Sequence, residues 1–480
     1  MGRKKRNGGV DRLSELPDDI LGHILSFLPT TKEAGRAAIL SRRWRYIFAH
    51  VDTLSFEDVN PGDRYLNNLS FELDSEERRS PNGCFLDRVN AAILCRLRCA
   101  SLSRNTSLRA FRVAIDQYER WDRHMVRSWV SHALQQSRQE LHLDLRLHTY
   151  HPCERGNGRR RGRFHNNSDG ERQRWSLSFS FPRSLFSSTA LRSLRVSHCY
   201  LKPPEAIALP SLEALHLTAI GDSEADIHRL ISSCPHLAEL TLESCSKITR
   251  VSVLDKRLRR LALRCCHYVE NVNLDASELR ILHYRGAMPK GSLFTLQGTH
   301  RVHSGTIDFC GPNLLTAKEL DGIPKLLENL VGAKHLHLNT SWLGRNIESI
   351  FFNCFPALSS LHKLELTGCL EVNIITRVLQ QTPNLEVLSL ILWHDPEYHP
   401  VAVPGAPSML CLQQRLREIS LVHYQGTDVQ RMLVQLLLGN ALVLQALSVI
   451  FYEDLYWPRT TLMEEIKQWV VSKSPKMIFQ

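Results

Sequence analysis

One phrase, L-x-x-L-x-L-x-x-C, recurs along this chain of 480 residues and restricts its fold more than any other feature. It stands at Leu191, Leu194, Val196 and Cys199, and again at Leu237, Leu240, Leu242 and Cys245. Leu258, Leu261, Leu263 and Cys266 repeat it, as do Leu361, Leu364, Leu366 and Cys369. Weaker copies begin at Leu108, Leu212, Leu279, Ala333, Leu385, Leu416 and Leu444. The starts Leu191, Leu212, Leu237, Leu258 and Leu279 are 21, 25, 21 and 21 residues apart, a spacing at which a strand and its return form one stacked repeat. Each L-x-L is then a short strand with alternate residues buried, and no single copy can bury its apolar side alone. The chain is therefore predicted to be an α/β solenoid with parallel strands on the concave side and helices and loops on the convex side. Leu194, Val196, Leu215, Leu217, Leu240, Leu242, Leu261, Leu263, Leu364, Leu366, Leu388 and Leu390 are its predicted core. Predicted helices run from 223 to 233, 346 to 354, 372 to 381 and 428 to 438, and Pro in CPHL (234 to 237) and TPNL (382 to 385) ends two of them.

The period identifies these as leucine-rich repeats and gives Cys199, Cys245, Cys266 and Cys369 the role of small buried residues after the strand. Cys95 and Cys99, four apart in a helical stretch, read the same way. Cys265, Cys266 and His267 resemble metal ligands, but no second pair stands at finger spacing, so packing is preferred and no metal or cofactor is expected. With 13 cysteines, no CxxC and no apolar run behind MGRKKRNGGV, a reduced compartment is expected, nucleus or cytoplasm. Arg3, Lys4, Lys5 and Arg6 fit a nuclear signal or a solvated tail equally. The stretch 433 to 451 is interrupted by Gln435, Gly439, Asn440 and Gln445 and is not a membrane span.

Residues 11 to 56 carry three helix signals. Pro17 stands at a helix start, followed by Asp18 and Asp19 where the helix dipole favours negative charge. Ile20, Leu21, Ile24, Leu25, Phe27 and Leu28 form a wide apolar stripe up to Pro29. Thr30 or Thr31 can cap a second helix with Ala34, Ala37, Ala38 and Ile39, and Ser41 a third with Trp44 and Ile47. Three such helices cannot bury both faces of the first, which implies a partner. The ordered LP, ILSFLP and LSRRWR motifs resemble an F-box. The resemblance implies a Skp-type adaptor, and through it a cullin, as partners, docked on Leu16, Pro17, Ile20, Leu21, Ile24, Leu25, Leu28, Leu40, Ser41 and Trp44. Gly35 departs from the family, which usually carries a bulky aliphatic residue there; an interior Gly costs about 1 kcal/mol relative to Ala.

Behind a basic tail (1–10) and this F-box (11–56), residues 57–105 read as a linker with a helix over 85 to 94. The repeats fill 106–405, with a further helix over 124 to 134 and strands over 108 to 116 and 140 to 147. Residues 406–480 are similar to the FBD module of plant F-box proteins: a strand, a turn at Gly426, a long amphipathic helix and another strand. They fit the last repeats and their cap equally well. A plant F-box protein with leucine-rich repeats is thus the resemblance. It implies a substrate-recognition subunit of an SCF-type ubiquitin ligase.

No GxSxG, HExxH or phosphate-loop motif is present, so no catalytic residue is assigned and a non-catalytic receptor is expected. Arg155, Arg159, Arg160, Arg161 and Arg163 lie in a Gly- and Asn-rich stretch and read as a loop. Phased with the buried leucines, Arg195, His216, Arg260, Arg264, His283, Arg285, His335 and His337 point outward and form the candidate substrate face. Glu239, Glu243, Lys363 and Glu365 share it. Basic residues outnumber acidic ones there, which suits an acidic or phosphorylated protein segment; a solvated face is the bland alternative. Two other functions stay open, a binding partner that assembles no ligase and a basic solenoid for nucleic acid. A net charge of +11 supports the latter only weakly, because no aromatics interleave with Arg along one face.

Overall fold

Every L-x-L phrase that falls on described residues forms a short strand, and each strand pairs in parallel with its neighbours. The computed structural model describes residues 13–57, 83–100, 108–116, 118, 122–146, 153, 179–289, 291–298, 302–310, 322–341, 351–393, 409–453 and 457–480, apart from 14, 38 and 369. The basic tail, most of the linker, the arginine-rich stretch at 155–163, Cys369 and most of the predicted helix over 346 to 354 lie outside them. The chain divides into two compact units. One holds residues 1–150, 167–222 and 229–236, the other 151–166, 223–228 and 237–480.

The first unit opens with helices Asp18–Leu25, Thr31–Ala37 and Arg42–Ile47. Its strands are β1 (Thr53–Glu57), β2 (Leu108–Asp116), β3 (Ser137–Arg146), β4 (Phe179–Ser180), β5 (Ser193–Ser197), β6 (Cys199–Tyr200) and β7 (Ala214–Thr218). The order is β1-β2-β3-β5-β7, with β4 and β6 as a separate pair. Helices Gly83–Ala100 and Arg123–Gln136 connect the early strands. The sheet starts at residue 53, inside the segment assigned to the F-box, and not at 106. Leu54 is fully buried, and Thr53 to Glu57 run in register with Ala110 to Ala114. The short TLSF run gave no leucine repeat to mark it.

The second unit adds β8 (Glu239–Glu243), β9 (Arg250–Val253), β10 (Arg260–Arg264), β11 (Asn271–Asp275), β12 (Ile281–Gly286), β13 (Phe294–Gln297) and β14 (Ser304–Phe309). It continues with β15 (His335–Asn339), β16 (Lys363–Gly368), β17 (Val387–Leu392), β18 (Glu418–Tyr424), β19 (Ala446–Phe451) and β20 (Lys476–Phe479). Strands β8, β10, β12 and β14 to β20 pair in that order. All twelve predicted core residues are buried, at 1% exposure or less. One row of the sheet runs Leu240, Leu261, Leu282, Gly305, Leu336, Leu364, Leu388 and Ile419. Gly305 leaves a gap in it that Leu330 fills, its Cδ2 lying 2.7 Å from where a Cβ would stand.

The returns depend on repeat length. Repeats starting 24 or more residues apart, as from Leu361 to Leu385 and Leu416 to Leu444, carry helices Val372–Gln381 and Asp428–Asn440. The 21-residue repeats from Leu237 and Leu258 have no room for a helix that rises only 1.5 Å per residue. There β9, β11 and β13 form a second parallel sheet behind the first, in place of the helices and loops foreseen. His198, Ala219, Ser244 and Cys265 all have φ between 49° and 53°, one after each of β5, β7, β8 and β10. This left-handed residue is a turn element of the repeat itself.

In the last seventy residues β18, β19 and β20 extend the same sheet. Gly426 has φ 71°, and a Cβ there would lie 2.5 Å from Cδ2 of the fully buried Leu462. The Gly426→Ala variant should therefore lose about 2–3 kcal/mol, from left-handed strain plus overpacking, measured by denaturant unfolding. Among the described residues no helix is long and apolar enough to cross a membrane.

Candidate functional site

The first helix has two apolar faces, and the structure separates them. Leu21 and Leu25 are buried with Ala34, Ile47, Phe48, Val51 and Ala92, and Leu16, Trp44, Phe56 and Cys95 pack against that cluster. Leu21 and Leu25 are thus core, not docking residues as the motif implied. Ala92 and Cys95 come from helix Gly83–Ala100, which supplies the cover that three helices lack. Ile20 (45%), Ile24 (43%), Phe27 (73%), Leu28 (39%), Ile39 (79%) and Leu40 (73%) remain exposed. Six large apolar side chains on one small helical cluster suit a protein interface better than water. Phe27 and Ile39 were not among the docking residues implied by the motif.

The local chemistry fixes this face. Pro17 precedes the first helix, one position earlier than expected, with ψ 150°. Thr30 Oγ1 accepts from the Glu33 amide at 3.4 Å and the Glu33 carboxylate accepts from the Thr30 amide at 3.3 Å, a reciprocal cap. Ser41 Oγ accepts from the Trp44 amide at 3.3 Å, so Ser41 acts as a cap. Arg43 donates to the Leu16 carbonyl and, at 2.9 Å, to Asp18, holding the Leu16-Pro17 entry against the third helix. Gly22 lies against His50, where an added Cβ would approach His50 Cβ to 2.6 Å.

The helices are tied to the sheet through Asp52. Ser26 Oγ accepts from the Asp52 amide at 2.9 Å, and the Asp52 carboxylate meets His23 at 3.0 Å and Arg109 of β2 at 3.5 Å. Burial opposes its ionisation, but hydrogen bonds from Thr53, His23 and Ser26 and the Arg109 charge prevail and hold it below the usual carboxylate range. Arg109 also donates to Glu140 at 3.3 Å, and Arg112 to the same carboxylate at 2.6 Å. Arg96, buried in helix Gly83–Ala100, donates to the Val51 carbonyl.

The second candidate surface is the strand face. In the first unit His142, Arg195 and His216 stand side by side across β3, β5 and β7. Burial, with the charges of Arg112 and Arg195, pushes His142 down to about 4. In the second unit Glu239, Arg260, Ile281, Ser304, His335 and Lys363 form one row, and Glu243, Arg264, Arg285 and Asp308 another. Between them run Ala262, His283, Thr306, His337 and Glu365. The face is less one-sidedly basic than composition suggested: Arg285 pairs with Asp308 at 3.2 Å and His337 with Glu365 at 3.1 Å. Asp308 was missed because β14 has no leucine phrase. Burial, together with Arg260, Arg264 and His337, lowers the pKa of His283. Beyond β16 the middle row becomes Ser389, Ser420 and Ser448, uncharged, while Glu418 and Lys476 keep charge in the outer row.

Residues 13–54 match the F-box-like family model and residues 171–331 the model described as At1g61320/AtMIF1, LRR domain. The chain thus carries an F-box-like segment followed by a leucine-rich-repeat segment, the arrangement of the plant F-box/LRR-repeat proteins it is similar to. An F-box/LRR-repeat protein of Arabidopsis thaliana is 27% identical over 412 residues, covering 79% of this chain and 69% of its own length. Another is 26% identical over 80% of this chain and 92% of itself. A putative FBD-associated F-box protein of the same plant is 25% identical over 96% of this chain and 97% of itself. The F-box implies binding to a Skp-type adaptor and the repeats imply protein binding, and together they point to substrate recognition for an SCF complex. A Cβ at Gly35 would meet only Phe48 Cε2, at 4.0 Å, so packing within the F-box-like segment does not require the glycine.

Proposed function

We propose that this chain is the substrate-recognition subunit of an SCF-type ubiquitin ligase, acting without chemistry of its own in the nucleus or cytoplasm. The observation that carries the reading is the exposed apolar set of Ile20, Ile24, Phe27, Leu28, Ile39 and Leu40 on an F-box whose exit strand β1 is part of the repeat sheet. The adaptor covers that set, and Leu16, Pro17 and Trp44 shape its border. The cullin-bound conjugating enzyme carries the thioester, so the receptor contributes effective concentration of the substrate lysine. Co-expression with a Skp-type adaptor and a cullin, followed by gel filtration and a ubiquitin-transfer assay, tests this. Capture of the adaptor without the cullin would instead support a receptor outside the ligase.

For the substrate, the charged part of the strand face is the proposed contact, with Arg260, Arg264 and Arg285 receiving an acidic or phosphorylated segment. Arg264 is exposed and Arg285 half exposed, and a guanidinium presents a fork matched to carboxylate or phosphate. Binding should weaken as salt rises past about 0.15 M, where the screening length is about 8 Å. Reversal of Arg260 and Arg264 to Glu should remove substrate capture in a pull-down and leave adaptor binding unchanged. Retention of substrate by that variant would assign capture to another surface.

A further inference from the structure

Four side chains from three distant places in the sequence meet in the second unit. One ligand atom from each of Cys153, Cys265, His267 and Cys310 lies within 4.8 Å of all the others. His267 Nε2 is 3.4 Å from Cys153 Sγ and 3.9 Å from Cys310 Sγ. We propose that these residues form a structural zinc site of Cys3His composition. A tetrahedral zinc, with Zn–S near 2.3 Å and Zn–N near 2.0–2.1 Å, sets its ligands about 3.5–3.8 Å apart, which this cluster meets if its longest separations close by about 1 Å.

The repeats deliver two of the ligands by their ordinary means. Cys265 sits at the left-handed turn after β10, the position held elsewhere by His198, Ala219 and Ser244. Cys310 follows β14, anchored by its amide on the Gly286 carbonyl at 2.9 Å. Cys266, the other candidate beside His267, is instead a core residue whose thiol points at the Leu242 carbonyl at 3.4 Å. Cys265 and Cys310 are buried, and Cys153 and His267 partly so.

The electrostatics fit a cation. Contact with the Cys153 thiol, followed by burial, pushes Cys265 up to about 12, and the thiols of Cys153 and Cys265 also push Cys310 up. On metal binding, three S–H protons leave for solvent and three Zn–S bonds form, with no change of oxidation state, so no oxidant or reductant is needed. The resulting charge of −1 lies near Arg285, whose pKa, against the effect of burial, is raised first by Asp308 and then by Cys265, Cys310 and Cys153.

The test uses the full chain, purified with reductant. Elemental analysis should find one zinc per chain. Replacement by cobalt should give the intense ligand-field bands of a tetrahedral site and thiolate-to-cobalt charge transfer. Cys153→Ser, at a partly exposed position, should lower zinc retention against a chelating indicator at least tenfold with the circular dichroism spectrum unchanged. Cys84→Ser, at an exposed cysteine outside the cluster, should change nothing. If Cys310→Ser does not fold, Cys153→Ser alone decides. Reduced protein that holds no zinc and shows no cobalt spectrum would overturn the proposal, as would a disulfide among Cys153, Cys265 and Cys310 found by mass spectrometry after alkylation at lysis.

Discussion

Replacing Ile20 and Ile24 together by Asp should reduce adaptor retention at least 100-fold and leave the thermal midpoint of the free chain unchanged. Both side chains are more than two-fifths exposed, so the folded monomer loses little when they change. In the complex, each carboxylate would enter an apolar contact without a partner, a cost of several kcal/mol, whereas 100-fold corresponds to only about 2.7 kcal/mol. Surface plasmon resonance with immobilised adaptor reads the affinity and calorimetry reads the fold. Unchanged affinity would move the docking face off the first helix.

Leu21→Ala, one residue away, should do the opposite. Leu21 is 1% exposed inside the F-box cluster, so truncation removes its transfer energy and leaves a cavity, costing about 2–5 kcal/mol. Native-state hydrogen exchange should show faster exchange in the first three helices and in Gly83–Ala100, whose Ala92 shares that cluster. Adaptor, added in excess, should restore part of the lost protection, because a ligand that binds only the folded state stabilises it by mass action.

The contrast between Ile20 and Leu21 shows where sequence reasoning stopped. Periodicity found every apolar residue of the first helix, but both faces were apolar, and only the position of Gly83–Ala100 shows which face the chain covers itself. The repeats were far more legible, since burial of alternate leucines follows from the two-residue period of a strand. Strand β14 escaped because Gly305 occupies the leucine row, and β1 because one short strand carries no period. The cysteine cluster could not be read from spacing at all: Cys153 and Cys265 are 112 positions apart, from 153 to 265, and only the fold brings them together.

The F-box runs directly into β1, which matters for anyone exchanging modules between proteins of this architecture. A cut at residue 52 takes the helices but leaves β1 and its partner β2 behind, while a cut after 57 strips β2 of its neighbour and bares a row of unpaired amides and carbonyls. Exposed strand edges of that kind template intermolecular pairing. The transplantable piece is therefore the helices, β1, the Gly83–Ala100 cover and β2 as one block, joined to a recipient that keeps its own sheet from β3 onward so that β2 covers the β3 edge. The F-box-like helices and the sheet are thus one continuous structure at β1, and replacing the first means rebuilding the start of the second.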